Sequence, residues 1–433
     1  MQGLSRIVAV VVGLTAALAS AWEFASPVLA FQDADVSMVA TVGEGAQYWP
    51  RWRGPSGQGF ASGTSYPDKW SATENVLWKV RVPGEGNSSP IVWGDRIFLT
   101  TAHERGRRLS LLAFRRSDGS LLWEAFAPEG RLESVHDKNG HASATASTDG
   151  KLVFVSFGSR GLMAFDFDGK LVWRQDLGAL NNYWGSAGSP LLYKDRVILY
   201  QDQQRAESFI AAFDSATGKP LWRTARNASV GWGTPVAIRA GGRDEIVVNG
   251  QYAVVAYDPD NGRELWRVGG TTMEVVPTVV VGHGMLFSSS GRAGPTLAIR
   301  PGGQGDVTRT HLVWSSPRGS PFIPSPILHG DQLYMVNDMT SIATAFDAKT
   351  GRALWQNRLG AAQREGFSAS PVVVDGKIFF TNDEGETFVL RGGGEFNLLH
   401  VNSIGERTLA SPALVDGRWY IRTAGHLFAI GSR

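Results

Sequence analysis

A phrase of eleven residues returns along the chain at near-constant spacing, and a repeat of this kind limits the fold more than any other property of the sequence. It reads Ala212-Phe213-Asp214-Ser215-Ala216-Thr217-Gly218-Lys219-Pro220-Leu221-Trp222. It recurs from Ala256 to Trp266 and from Ala345 to Trp355, with weaker copies at 113–123 and 164–173. An insertion lengthens the copy ending at Trp314, and His400 stands at the Trp position of the copy near Leu390. A second phrase opens each unit: a small residue, Pro, a β run, an Asp/Gly turn and another β run. Its copies are Ser89-Pro90, Ser189-Pro190, Thr234-Pro235, Ser325-Pro326, Ser370-Pro371 and Ser411-Pro412, with Val276-Pro277 and Ala144-Thr145 as looser ones. Aligned on Pro, with Thr145 in its place in one unit, the starts are 55, 45, 45, 42, 49, 45 and 41 residues apart, a mean of 46.

Each unit holds four short runs rich in Val, Ile, Leu, Phe and Tyr. In the unit from Ser189 they are 190–193, 196–201, 209–214 and 220–224, with turn residues between them. No segment sustains a helical period. Four strands repeated eight times predict an all-β, eight-bladed β-propeller. The last unit ends after three runs, at Phe428-Ala429-Ile430, while Val76-Leu77-Trp78-Lys79-Val80 is a Trp strand with no unit before it. The N-terminal strand around Trp78 is therefore expected to complete the C-terminal blade and close the ring, which removes free sheet edges.

Residues repeated in most blades are expected to be structural. Trp78, Trp123, Trp173, Trp222, Trp266, Trp314 and Trp355 should wedge between neighbouring blades. Asp166, Asp214, Asp258 and Asp347 should accept backbone N–H groups in the turn, and Arg115, Arg300 and Arg391 replace that Asp in three other blades.

Composition narrows the function. Lys and Arg number 42 against 40 Asp and Glu, a net charge of +2, which excludes the basic signature of a nucleic-acid binder. The chain has no Cys, so disulfides, thiolate metal sites, a Cys nucleophile and a lipidated N-terminal Cys are all excluded. Residues 1–30 read as a secretory signal peptide: Arg6, an apolar run over 7–19, and cleavage sites at Ala19-Ser20-Ala21 or Val28-Leu29-Ala30. Residues 31–47 read as a flexible leader and 48–433 as one propeller domain. A periplasmic or secreted protein with no membrane span after cleavage is expected.

Function should sit where the blades differ. The segment entering each Ser-Pro strand crosses one face of the ring to the channel, so the residues just before it should gather at one mouth. These are Asn87, His141, Trp184, Trp232, Glu274, Phe322, Phe367 and Arg407, a mixed aromatic and polar set suited to a planar ligand or a peptide. Ordinary loop residues closing the channel are the alternative. The longest inter-blade insertion, 128–141, adds Glu133, His136, Asp137, Lys138 and Asn139. Its two His and Asp137 are weak as a metal set, and anchoring by side-chain hydrogen bonds is the preferred reading. The Gly-rich stretch Gly54-Pro55-Ser56-Gly57-Gln58-Gly59 lacks the strand and helix of a phosphate cradle, and no hydrolase elbow is present. No catalytic residue and no metal site are assigned.

The phrase Ala-Phe-Asp-x-x-Thr-Gly-Lys-x-Leu-Trp resembles the tryptophan-docking repeat of pyrroloquinoline-quinone (PQQ) propellers, from about Trp78 to the C-terminus. Tyr48-Trp49-Pro50-Arg51-Trp52-Arg53-Gly54-Pro55 and His136-Asp137-Lys138-Asn139-Gly140-His141-Ala142-Ser143 resemble secreted PQQ-like propellers labelled BamB-like. The resemblance implies one of two functions. One is a non-catalytic scaffold that binds an envelope protein or peptide, as in outer-membrane protein assembly, although the family's lipid anchor is absent here. The other is a PQQ-dependent dehydrogenase of alcohols or sugars, with the quinone over a Trp floor, Ca²⁺, a catalytic Asp and an adjacent-Cys disulfide. This chain lacks the disulfide and is short for that class. Glu274, Asn87 and Asn139 would be its Ca²⁺ ligands and Trp184 or Trp232 its floor. The scaffold without cofactor is the favoured expectation, PQQ with calcium the disfavoured one, and a small-ligand or polysaccharide binder the third.

Overall fold

In the computed structural model, residues 36–292, 294–317, 319–361 and 366–432 are described. The expected signal peptide and residues 31–35 of the leader lie outside them. Eight sheets, each built on four antiparallel strands, form an eight-bladed propeller; seven take their strands from one stretch of chain and the eighth is shared between residues 76–81 and 413–430. In the third blade the strands are Leu191–Tyr193, Arg196–Gln201, Ser208–Asp214 and Pro220–Arg226. The two middle strands are buried almost without interruption, because neighbouring blades cover both their faces. The outer strand is mostly exposed, and Trp222 is one of its buried side chains.

The ring closes as the sequence predicts. Val76–Arg81 pairs antiparallel with His426–Ile430, and Trp78 stands opposite Ala429. That pairing recurs: Trp123, Trp173, Trp222, Trp266, Trp314 and Trp355 face Ala113, Ala164, Ala212, Ala256, Ala298 and Ala345. In every blade the register shifts next to this pair, a bulge that admits the turn.

The turn glycine meets the Trp of the preceding blade. Gly218 has φ +73°, and a Cβ there would lie 2.6 Å from the Trp173 ring. The indole of Trp173 donates to Ser215 O in the same turn at 2.9 Å. Trp78, Trp123, Trp222 and Trp314 likewise donate to Arg116 O, Phe167 O, Pro259 O and Ala348 O, and Trp355 to Gly393 O at 3.4 Å. The turn aspartates accept backbone N–H groups, as Asp214 does from Thr217 at 2.8 Å. Trp266 departs from the pattern because the next blade's turn is lengthened. It donates instead to Glu245 Oε2 of its own blade at 2.8 Å, and Gly305–Asp306 of the insertion pairs beside it.

The seventh blade solves its missing Trp in another way. His400 Nε2 donates to Asp68 O at 2.6 Å, and the incoming segment delivers Trp70 to the gap. Trp70 stacks on Phe379, centroids 6.1 Å apart, and lies 5.1 Å from Trp419 of the eighth blade.

The leader is not loose from residue 36 onward. Ser37–Met38 adds an antiparallel strand to the inner edge of Val236–Ala240, so this blade's sheet has extra strands on both sides. Trp49 then bridges Val92 and Phe60 bridges Val373, both in innermost strands. Pro50 O accepts from Thr148 N, Arg53 donates to Pro326 O, and Gln58 Oε1 accepts from Val281 N. The segment visits blade after blade because each innermost strand presents unpaired backbone groups that it satisfies. It thereby closes one end of the channel. The Trp49–Gly59 stretch is this plug.

Candidate functional site

Two rings of side chains line the channel. The deeper one consists of the hydroxyls of Ser89, Thr145, Ser189, Thr234, Thr278, Ser325, Ser370 and Ser411. Around seven of the eight junctions, the backbone N–H of one member donates to the hydroxyl of the next blade's member. Ser89 N to Thr145 Oγ1 is 2.9 Å, and the last, Ser370 N to Ser411 Oγ, is also 2.9 Å. Here lies the reason for a hydroxyl before Pro: it gives the preceding blade's N–H a partner in a buried place. Two unit starts are corrected by this ring. Thr145 and Thr278 take the Ser position, so Thr145 does not replace Pro and Pro277 stands one residue ahead of the Ser position.

Two residues earlier in each blade comes the second ring: Asn87, Ser143, Ala187, Trp232, Val276, Ile323, Ser368 and Leu409. Extended backbone points alternate residues the same way, so a step of two from each hydroxyl again faces the axis. Below the hydroxyls Trp52 of the plug forms the floor, around a space of about 130 Å³. Above the second ring the mouth opens into a cavity of about 180 Å³.

The loop 128–141 lies across this mouth. Asn87 Nδ2 donates to Lys138 O at 2.9 Å and to Asn139 O, and Asn139 Nδ2 donates to Trp184 O at 2.6 Å and Ser186 O at 3.0 Å. The Glu133 carboxylate accepts from Ser159 N and Ser186 N. Lys138 Nζ reaches Asp383 of the seventh blade at 2.6 Å, and Asp383 also accepts from Ser368 Oγ at 3.2 Å. Asp338 is fully buried, accepts from Phe322 N at 2.7 Å, and burial pushes its carboxyl up to about 6.

One wall is aromatic. Trp184 lies 4.7 Å from Trp232 at 32°, and 5.6 Å from Phe322 edge to face. His136 meets Trp184 at 5.9 Å. Trp232 is fixed by donation to Gly185 O at 3.1 Å. Arg292 sits over Phe322 at 5.0 Å and Trp184 at 6.0 Å. Tyr183 Oη donates to Glu274 at 2.9 Å; burial first and this carboxylate second push the phenol well above its usual range.

Of the residues the sequence nominates, Asn87, Trp184, Trp232, Phe322, His136, Lys138 and Asn139 line the cavity together. The others do not. His141 packs on Gly106, which leaves no room for a Cβ beside its ring, and burial lowers its pKa. Phe367 is buried against Phe388, centroids 6.1 Å apart. Arg407 is exposed at the rim, Asp137 is exposed, and Glu274 stands behind Tyr183 and 3.7 Å from Arg292. Choosing different offsets before Ser-Pro mixed inward and inter-blade positions, so a consistent step of two was the missed signal. Arg292 was missed for another reason. It comes from the loop between strands Met285–Ser289 and Thr296–Ile299, and loops in that position share the mouth's face.

Asn87 and Asn139 turn their Nδ2 groups to backbone carbonyls, and Glu274 accepts from Tyr183 Oη, so these three side chains are fixed by the loop and the aromatic wall. Among the described residues no three His, Cys, Asp or Glu are grouped to hold a metal ion. No helix among them is long and apolar enough to cross a membrane.

Comparison with known proteins follows the architecture. The chain is 21% identical over 384 residues to tetrathionate hydrolase of Acidithiobacillus ferrooxidans, covering 81% of this chain and 65% of that protein. It is 23% identical over 293 residues to outer membrane protein assembly factor BamB of Burkholderia pseudomallei, covering 63% of this chain and 66% of that one. It thus spans just under two thirds of the length of both relatives. A europium-containing methanol dehydrogenase superposes with a TM-score of 0.63 at 12% identity, covering 88% of this chain and 90% of that one, which is a likeness of fold alone. The sequence profile of the family described as outer membrane protein assembly factor BamB matches residues 68–139, 110–357 and 338–430. With the repeat, the ring closure and this match over most of its length, the chain belongs to the BamB family of PQQ-like repeat β-propellers.

Proposed function

We propose that this chain is a non-catalytic, periplasmic or secreted propeller that binds a protein partner at the channel mouth, in cell-envelope assembly. The observation that carries the reading is the cavity itself. At about 180 Å³ it is aromatic, closed below by Trp52, and lined by no Asp or Glu. The cavity runs on into the space of about 130 Å³ below it, and its aromatic wall suits a side chain presented by another protein. Family membership agrees with a protein-binding role. The Trp wedges, in this reading, are scaffold only.

Site-specific photo-crosslinking in the producing cells tests the reading. A photoreactive residue at Leu409, inside the mouth, should give a discrete adduct with one envelope protein, and one at Lys349, on the opposite face, should not. Saturable binding of PQQ with Ca²⁺ at one site per chain, with dye-linked oxidation of an alcohol, would refute it and favour the dehydrogenase alternative.

A further inference from the structure

The mouth cavity has an asymmetry of charge. Lys138, His136 and Arg292 line it, and no carboxylate does. The nearby acids are withdrawn behind it, Asp383 on Lys138 and Glu274 on Tyr183. Arg292 is the more open of the two cations, Lys138 and Arg292. Its side chain is 45% exposed and meets Glu274 only at 3.7 Å. Its planar fork of N–H donors suits a carboxylate. His136 Nδ1 accepts from Lys138 N at 3.2 Å, which leaves the ring proton on Nε2 and makes that atom a second donor on the rim.

The channel is also a dead end. Trp52 closes it below the hydroxyl ring. A segment from the middle of a partner would have to enter and leave a cavity of about 180 Å³ through the same mouth. A chain terminus enters once and stops. The apolar wall of Trp184, Trp232 and Phe322 then accepts its last side chain.

We propose that the mouth captures the C-terminal residue of its protein partner, with the α-carboxylate on Arg292 and an apolar side chain against Trp184, Trp232 and Phe322. The proposal rests on the protein-binding reading above and specifies its ligand. A free arylalkanoic acid carries the same chemistry, and the test separates the two sources.

The test is fluorescence anisotropy on the purified chain. The probes are a fluorescein-labelled Gly-Gly-Ser-Gly-Phe peptide with a free carboxyl terminus and its C-terminal amide, with unlabelled 3-phenylpropionate as competitor. The free acid should bind at least about tenfold tighter than the amide, the scale of one lost charge-assisted hydrogen bond. R292Q should erase that difference, and R292K should restore part of it, while circular dichroism verifies that both variants fold. Equal affinity of acid and amide would overturn the chain-end proposal and leave a protein-binding mouth standing. Displacement by 3-phenylpropionate at concentrations as low as those of the peptide would make a small acid the occupant and overturn the peptide source. Binding of neither peptide, together with saturable binding of PQQ, would overturn both readings.

Discussion

Replacing Trp70 with Ala should unfold this protein more readily than any change at His400, although His400 holds the repeat's own Trp position. The reasoning is specific. Trp70 is 4% exposed and fills the gap between the seventh and eighth blades, against Phe379 and Trp419. Removing a buried Trp costs about 3–5 kcal/mol in transfer and cavity terms. Its indole N–H has no hydrogen-bond partner, so deletion also relieves an unmet donor and places the value near the lower end, about 3 kcal/mol. His400→Ala loses one hydrogen bond, to Asp68 O, and should cost about 1 kcal/mol. Urea unfolding followed by Trp fluorescence and circular dichroism measures both, with the midpoint shift read at unchanged slope. A cost below about 1 kcal/mol for W70A, or a larger cost for H400A, would refute the assignment of Trp70 as the seventh blade's wedge.

Three other outcomes follow from the packing. Gly218→Ala meets Trp173 at 2.6 Å at a φ of +73° and should lose more stability than Gly94→Ala, whose Cβ meets nothing within 4 Å; the second bears only the left-handed backbone cost of about 1 kcal/mol, and thermal melts compare the two. The Asp338 carboxyl is raised in the folded state to about 6. The folded chain therefore holds that proton more tightly than the unfolded one, so its contribution is fully present below about pH 4 and is lost as pH rises to about 6. D338N should remove this loss, which amounts to about 3 kcal/mol, and stability curves of the two proteins should converge at low pH. Asp202 and Arg226 form a buried bidentate pair at 2.7 and 2.9 Å, so D202A should cost about 3–5 kcal/mol by stranding the guanidinium, as denaturant titration would show.

The fold was legible because its determinants are local and repeated. Trp needs a slot, the facing Ala keeps that slot clear, and the turn Gly supplies a positive φ where the neighbouring indole leaves no room for a side chain. Each of these is written within eleven residues and copied round the ring, so the period of 46 and the split eighth unit were enough to derive eight blades and their closure. Four of the eight nominated mouth residues line the cavity, and two of them, Asn87 and Trp232, stand where the alternation of extended backbone could be read from the following Ser or Thr.

What the sequence alone could not supply was how distant segments meet. Nothing local says that residues 37–60 thread the innermost strands and seal the channel, because the partners of that backbone lie in blades up to hundreds of residues away. Nothing near His400 says that Trp70 fills its slot. Arg292, Lys138 and Asp383 come from loops of different blades, and only ring closure brings them to one mouth. Periodicity is a property of neighbouring residues and survives in the one-dimensional string. The charge and size of the cavity are sums over eight blades, and they exist only once those blades have closed.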